Sequence, residues 1–136
     1  MTPLAIPDAL LARIYAHARA AFPDECCGYL VGADVLVDVV ACENTAETDR
    51  GREFQIGGRE LLAFARSFDG ASPARIVYHS HPNGRAYFSA TDRAMATTAA
   101  YPVQHLVVGV TAEAVTEAAL FAQVDDDIIE VARWTP

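Results

Sequence analysis

Two of the four histidines, His79 and His81, stand two residues apart at the end of the apolar run Ala74–His81. In a β-strand, residues i and i+2 project from the same face. Both imidazoles can therefore converge on one ion at Zn–N distances of about 2.0–2.1 Å. A breaker, Pro82-Asn83-Gly84, follows, and Asp92 falls in the first turn of the next expected helix. From there its carboxylate can swing back as a third ligand. Two histidines and one aspartate leave the fourth tetrahedral position of zinc open, the mark of a catalytic rather than a structural site. Water in that position has its pKa lowered to about 7, so hydroxide becomes available near neutrality. One zinc ion per chain is the cofactor these residues imply.

Hydrolytic chemistry also needs a proton shuttle and an oxyanion donor. Glu25, at the start of an early strand in Pro23-Asp24-Glu25-Cys26-Cys27-Gly28, is the candidate shuttle. Ser89 could donate to the oxyanion. Ser89 and Asp92 also fit the spacing of a capping box, and one hydroxyl can cap a helix while facing a site. Cys26 and Cys27 invite a cysteine-nucleophile reading, but small buried residues in a core strand explain them more simply. Strand alternation puts Cys27 on Glu25's side. His105 opens an apolar strand and reads as a packed histidine, and His17 as a surface residue of the first helix. Asp125-Asp126-Asp127 reads as a turn between strands. Arg50, Arg52 and Arg59 surround a polar loop and read as solvated, with contact to an acidic protein as the alternative.

The elements that must position these groups are legible from periodicity. Leu10, Leu11, Ile14, Tyr15, Ala18 and Phe22 recur at helical spacing, giving a helix over 7–22 that Pro23 stops. Residues 26–31 and 35–42 read as a hairpin split by Gly32-Ala33-Asp34. A polar loop over 43–53 leads to a short strand at 54–56 and a helix over 58–68. A buried strand at 74–81, a helix from Ser89 to about Ala100, and closing strands at 103–110, 116–124 and 128–132 complete the chain. The expectation is one α/β domain over 1–136: a mixed twisted sheet of about six strands with about three helices packed on it.

Composition narrows the function classes. The chain has 136 residues, 52% of them apolar and 21% charged, which is a folded globular composition. Its net charge is −8 and all 10 basic residues are arginine. Lacking lysine, it cannot use a P-loop phosphate lysine or a pyridoxal Schiff base. The acidic balance argues against nucleic acid or an anionic membrane as partner. No run approaches the roughly 18 apolar residues of a membrane span. The start MTPLAIPDALLAR lacks the basic opening of a signal peptide. Three cysteines, two of them adjacent, make a poor disulfide framework, so a reduced, cytoplasmic protein is expected. A zinc deaminase is disfavoured because its H-x-E…P-C-x-x-C pattern is absent.

The combination of an upstream Glu with His-x-His, seven residues, Ser, two residues and Asp is met by Glu25, His79, His81, Ser89 and Asp92. It resembles the JAMM motif of the MPN-domain (Mov34/PAD-1-like) metallopeptidases. The stretch around Glu25, with Tyr29 before Leu30, is similar to that family's P-x-E-x-C-G-x-L-x-G segment, and Pro82 and Asn44 also match. The likeness runs over residues 8–132 and departs at Phe88, where many short members have Pro before the Ser. The resemblance implies an MPN fold with zinc on His79, His81 and Asp92. It implies Glu25 as general acid/base and Ser89 as stabiliser of the tetrahedral intermediate. The implied substrate is the peptide or isopeptide bond after the Gly-Gly tail of a ubiquitin-like or sulfur-carrier protein, including release of cysteine from a carrier. Such a tail could add to a sheet edge through backbone hydrogen bonds. The alternative is a non-catalytic MPN-type interaction module, which usually lacks some of the ligands.

Overall fold

The structure, a computed structural model, describes residues 3–136. Helix α1 (Asp8–Ala21) leads into strand β1 (Cys27–Gly32) and strand β2 (Leu36–Cys42). Helix α2 (Gly58–Ser67), strand β3 (Ala74–His81) and helix α3 (Ala90–Ala99) follow, and β4 (Gln104–Val110), β5 (Val115–Val124) and β6 (Asp127–Trp134) close the chain. The six strands form one sheet in the order β2-β1-β3-β4-β5-β6. Every neighbouring pair is antiparallel except β3 and β4, which run parallel through the α3 crossover. This is the mixed α/β sheet that the periodicity called for, with β3 and β4 in the middle and buried along nearly their whole length.

Alternation along the central strands divides their side chains between two faces. On one face Leu10, Leu11, Ile14 and Ala18 of α1 pack against Cys26, Leu30, Ile76, Tyr78, Leu106, Val108 and Leu120. Ile14 is fully buried, a contribution of roughly 1.5–3 kcal/mol. The other face carries two separate apolar clusters. One gathers Cys27, Tyr29, Ile56 and Val77 around Phe64 of α2. The other gathers Ala86, Phe88, Val107, Ala119, Phe121 and Ile128, with Ala96 of α3 packed against it. His79 is paired in register with Cys27 on one side and Val107 on the other. It therefore stands at the seam between the two clusters.

Two sequence expectations need correction. Residues 54–56 are not a strand. The Gln55 carbonyl accepts from Thr45 N–H, but the Gln55 N–H goes to Asn44 Oδ1, so no ladder starts. His17 is not a free surface residue. It is half-buried, and its Nδ1 lies 2.7 Å from the Tyr78 hydroxyl. The tyrosine ring lies under α1 because Gly28 makes room for it: a Cβ there would come within 2.5 Å of Tyr78 Cε2. Asp125 and Asp126 form the expected turn, and Asp127 pairs with Arg93 at 2.8 Å. No helix among the described residues is long and apolar enough to cross a membrane.

Candidate metal centre

β3 aims His79 and His81 at the same side of the sheet, and α3 brings Asp92 over them. The two Nε2 atoms are 3.1 Å apart, and each lies 3.1 Å from Asp92 Oδ2. All three side chains are buried, at 2%, 5% and 4% exposure. Among the described residues they form the one cluster of His, Cys, Asp and Glu groups close enough to share a metal ion. Donor atoms around a tetrahedral ion with bonds of about 2.0–2.1 Å stand about 3.3 Å apart. The triangle observed has nearly those edges.

Protonation supports the same reading. His81 Nδ1 is 3.1 Å from the Arg85 carbonyl, an acceptor only, so Nδ1 carries the proton and Nε2 presents its lone pair to the cluster. A second group that fixes the tautomer of a ligating histidine is usual at metal sites. Burial pushes His79 below its ordinary pKa, although the Asp92 carboxylate opposes this, so the ring is neutral near pH 7. Burial alone would raise Asp92, but its contacts with the His79 and His81 rings outweigh it and hold the carboxyl well below the usual range. The inward lone pair of His81, the Asp92 carboxylate and the His79 ring converge on one point. A divalent cation satisfies that donor set, and the residues fit one.

The loop after β3 is folded back to reach this geometry. Gly84 adopts a positive φ of 78°. It lies so close to Gly109 that a Cβ there would come within 2.6 Å of the Gly84 carbonyl. Ala86 N–H donates to Glu117 Oε2 at 2.7 Å, and Arg133 donates to the Ala86 carbonyl at 2.9 Å, so β5 and β6 hold the loop down. Ser89 then caps α3: its Oγ accepts from Asp92 N–H, and its own N–H donates to Asp92 Oδ2, both at 3.0 Å. The capping box and the metal cluster thus share Asp92, and the Ser89 hydroxyl proton is left to donate elsewhere.

Glu25 precedes β1 and is 2% exposed, and its Oε1 has no hydrogen-bond partner. Burial, then the charges of Asp92, Glu53 and Asp49, push its carboxyl up to about 8. A buried carboxyl with an unpaired oxygen, close enough to feel Asp92, is a candidate for proton exchange. Asn44 fixes its backbone. Its Nδ2 donates to the carbonyls of Glu25 and Glu53 at 3.0 Å and of Arg50 at 3.3 Å, while its Oδ1 accepts from Ala46 and Gln55 N–H.

Residue typing alone missed three contributors. Phe54 stacks on His79 with ring centroids 4.6 Å apart, and Tyr87, 44% exposed, leans on His81 at 4.7 Å. Asn44 entered the sequence comparison only as a matching position. An aromatic residue at the end of a polar loop is the one signal that could have singled out Phe54. Cys26 and Cys27 are buried, and burial pushes Cys26 up to about 11 and Cys27 higher still, so neither is a thiolate near neutral pH. His105 is half-buried against Phe88, ring centroids 5.2 Å apart, and burial lowers it to about 4.

Residues 7–122 match the family described as prokaryotic homologs of the JAB domain. Two solution structures are similar over most of the chain. A protein from Desulfitobacterium hafniense is 25% identical with a TM-score of 0.70, covering 90% of this chain and 86% of that one. A protein from Salinibacter ruber is 25% identical with a TM-score of 0.65, covering 94% and 88%. No curated protein matches the sequence.

Proposed function

The chain belongs to the prokaryotic homologs of the JAB domain, and from that membership we propose that it is a zinc peptidase cutting after the Gly-Gly tail of a ubiquitin-like or sulfur-carrier protein. The observation that carries the reading is the buried Glu25 carboxyl, unpaired at Oε1, beside a His79–His81–Asp92 triangle with edges of 3.1 Å. His79, His81 and Asp92 would hold the ion. When bound, zinc would polarise the scissile carbonyl and make water acidic enough to attack near neutral pH.

The remaining steps fall to side chains of this chain. Glu25 Oε1 takes a proton from the attacking water as its oxygen adds to the carbonyl carbon. The same carboxyl hands that proton to the amine nitrogen as the C–N bond breaks. Ser89 Oγ–H donates to the oxyanion while its lone pair keeps capping α3. Arg85's carbonyl keeps the His81 ring oriented with Nε2 inward. The products are a carrier ending in a free Gly-Gly carboxylate and a free amine, which is cysteine in the simplest carrier case.

Edge addition of the tail has no free edge beside the two histidines, because β3 is paired on both sides. An extended tail would instead run along the cleft between α2 and α3. The test is incubation of the zinc-loaded protein with carrier proteins extended beyond Gly-Gly, read by intact mass. The expected result is a single chelator-sensitive cut after the second glycine, lost in Glu25→Gln. Cleavage elsewhere overturns the substrate. Stoichiometric zinc without cleavage of any carrier favours the interaction-module alternative.

A further inference from the structure

A cavity of about 260 Å³ opens from the His79–Asp92 side of the cluster and runs between α2 and α3. Its floor is Val77 and His105, a registered pair across β3 and β4. Its walls are Phe64, Phe88 and Met95, and Leu61, 38% exposed, stands at its mouth. Neither Glu25 nor Ser89 lines it. No arginine does either, and the Asp92 carboxylate closes its inner end.

From this arrangement we propose that the cavity is a specificity pocket for one bulky apolar side chain on the acyl side of the scissile bond, the first side chain upstream of the two glycines. The inference rests on the peptidase reading and adds to it the identity of the residue selected. Three observations carry it. The first is direction. Glu25 must reach the leaving amine, and Glu25 is not among the walls, so the leaving group departs away from the cavity and the tail enters through it. The second is spacing. Val77 lies two residues before His79 on the same face of β3, about 7 Å away at strand rise. Two glycines carry no side chains, so the first one upstream arrives over Val77 and His105. The third is chemistry. A space of this size holds a side chain rather than a folded partner, and its walls are largely apolar, so an acidic occupant would lose its hydration without gaining a partner there. Phe88, packed on Phe121 at 5.4 Å, is the wall on the α3 side, so the residue that departs from the resembled family shapes the pocket.

The test uses one carrier protein with a one-residue extension after Gly-Gly, and with Leu, Phe, Ala or Asp at each of the two positions before the glycines. At the position immediately before the glycines kcat/KM for Leu or Phe is expected to exceed that for Ala by at least about tenfold, as for filling an apolar pocket, with little discrimination one residue further upstream. Asp should fall below Ala. Ala96→Phe, which fills the cavity from α3, should bring Leu and Ala within about twofold of each other. If that variant does not fold, the substrate panel on the unaltered protein decides alone. A second readout is the ¹³C-methyl resonance of Met95 in zinc-loaded Glu25→Gln, expected to move with the Leu tail and not with the Ala tail. Equal rates across the panel, or discrimination only at the position further upstream, overturn the pocket and leave the peptidase standing. Absence of cleavage with the Met95 shift intact overturns the peptidase and supports the pocket. Absence of both overturns both.

Discussion

Replacing Glu25 by Gln in the metal-free protein removes a titration that the fold makes unfavourable. Burial, then Asp92, Glu53 and Asp49, raise the carboxyl from 4.5 to about 8, whereas the unfolded chain titrates at the ordinary value. Between those two pH values the folded protein binds more protons than the unfolded one, so its stability falls as pH rises. The stabilising contribution is complete below about 4.5 and gone above about 8. At about 1.36 kcal/mol per pH unit, that gap sets a ceiling of about 5 kcal/mol. His79 and His105 titrate with the opposite sign, since burial lowers both and they lose stability as pH falls. They are common to the two proteins and cancel in the difference. Gln keeps the shape and carries no charge. In urea denaturation with chelator present, the variant should gain about 3 kcal/mol on the wild type between pH 5 and pH 8. A difference that does not change with pH would refute the reasoning, because it would mean that the Glu25 carboxyl is solvated or paired in the folded protein.

Ser89→Ala removes the hydroxyl that caps α3 and, in the proposed mechanism, the donor to the oxyanion. Thermal melts should register a loss of about 1 kcal/mol, and initial rates on a carrier substrate should drop roughly 10²–10³-fold. Asn44→Ala cuts the ties among Glu25, Arg50, Glu53, Ala46 and Gln55. It should cost about 2–4 kcal/mol in urea denaturation, lower kcat by at least about tenfold through displacement of Glu25, and leave zinc affinity by equilibrium dialysis nearly unchanged.

The strands and helices were legible because their burial is regular. Ala74–His81 reads as a buried strand and Val103–Val110 as a closing strand because their apolar runs are nearly continuous, and α1 is visible in its stripe of Leu10, Leu11, Ile14 and Ala18. The His79–His81–Asp92 cluster was legible because a two-residue strand spacing and a first-turn helix position fix where those side chains point. Glu25 was different. Nothing in its local pattern separates it from an ordinary strand-edge carboxylate, and only its flanks pointed to it. What periodicity could not reveal was set by long-range polar ties. Asn44 takes the Gln55 N–H and so prevents the strand expected at 54–56. Tyr78, seated where Gly28 leaves room, draws His17 out of solvent. The stacking of Phe54 on His79 joins a loop to a central strand, and no short-range spacing encodes it.

X-ray absorption at the zinc edge, on protein loaded with one equivalent, tests the metal centre most directly. The account predicts four ligands at about 2.0 Å, two of them imidazoles and the rest oxygen, with one imidazole lost in His81→Ala. Sulfur in the shell, a site unchanged by His81→Ala, or failure to retain an equivalent of zinc would contradict it.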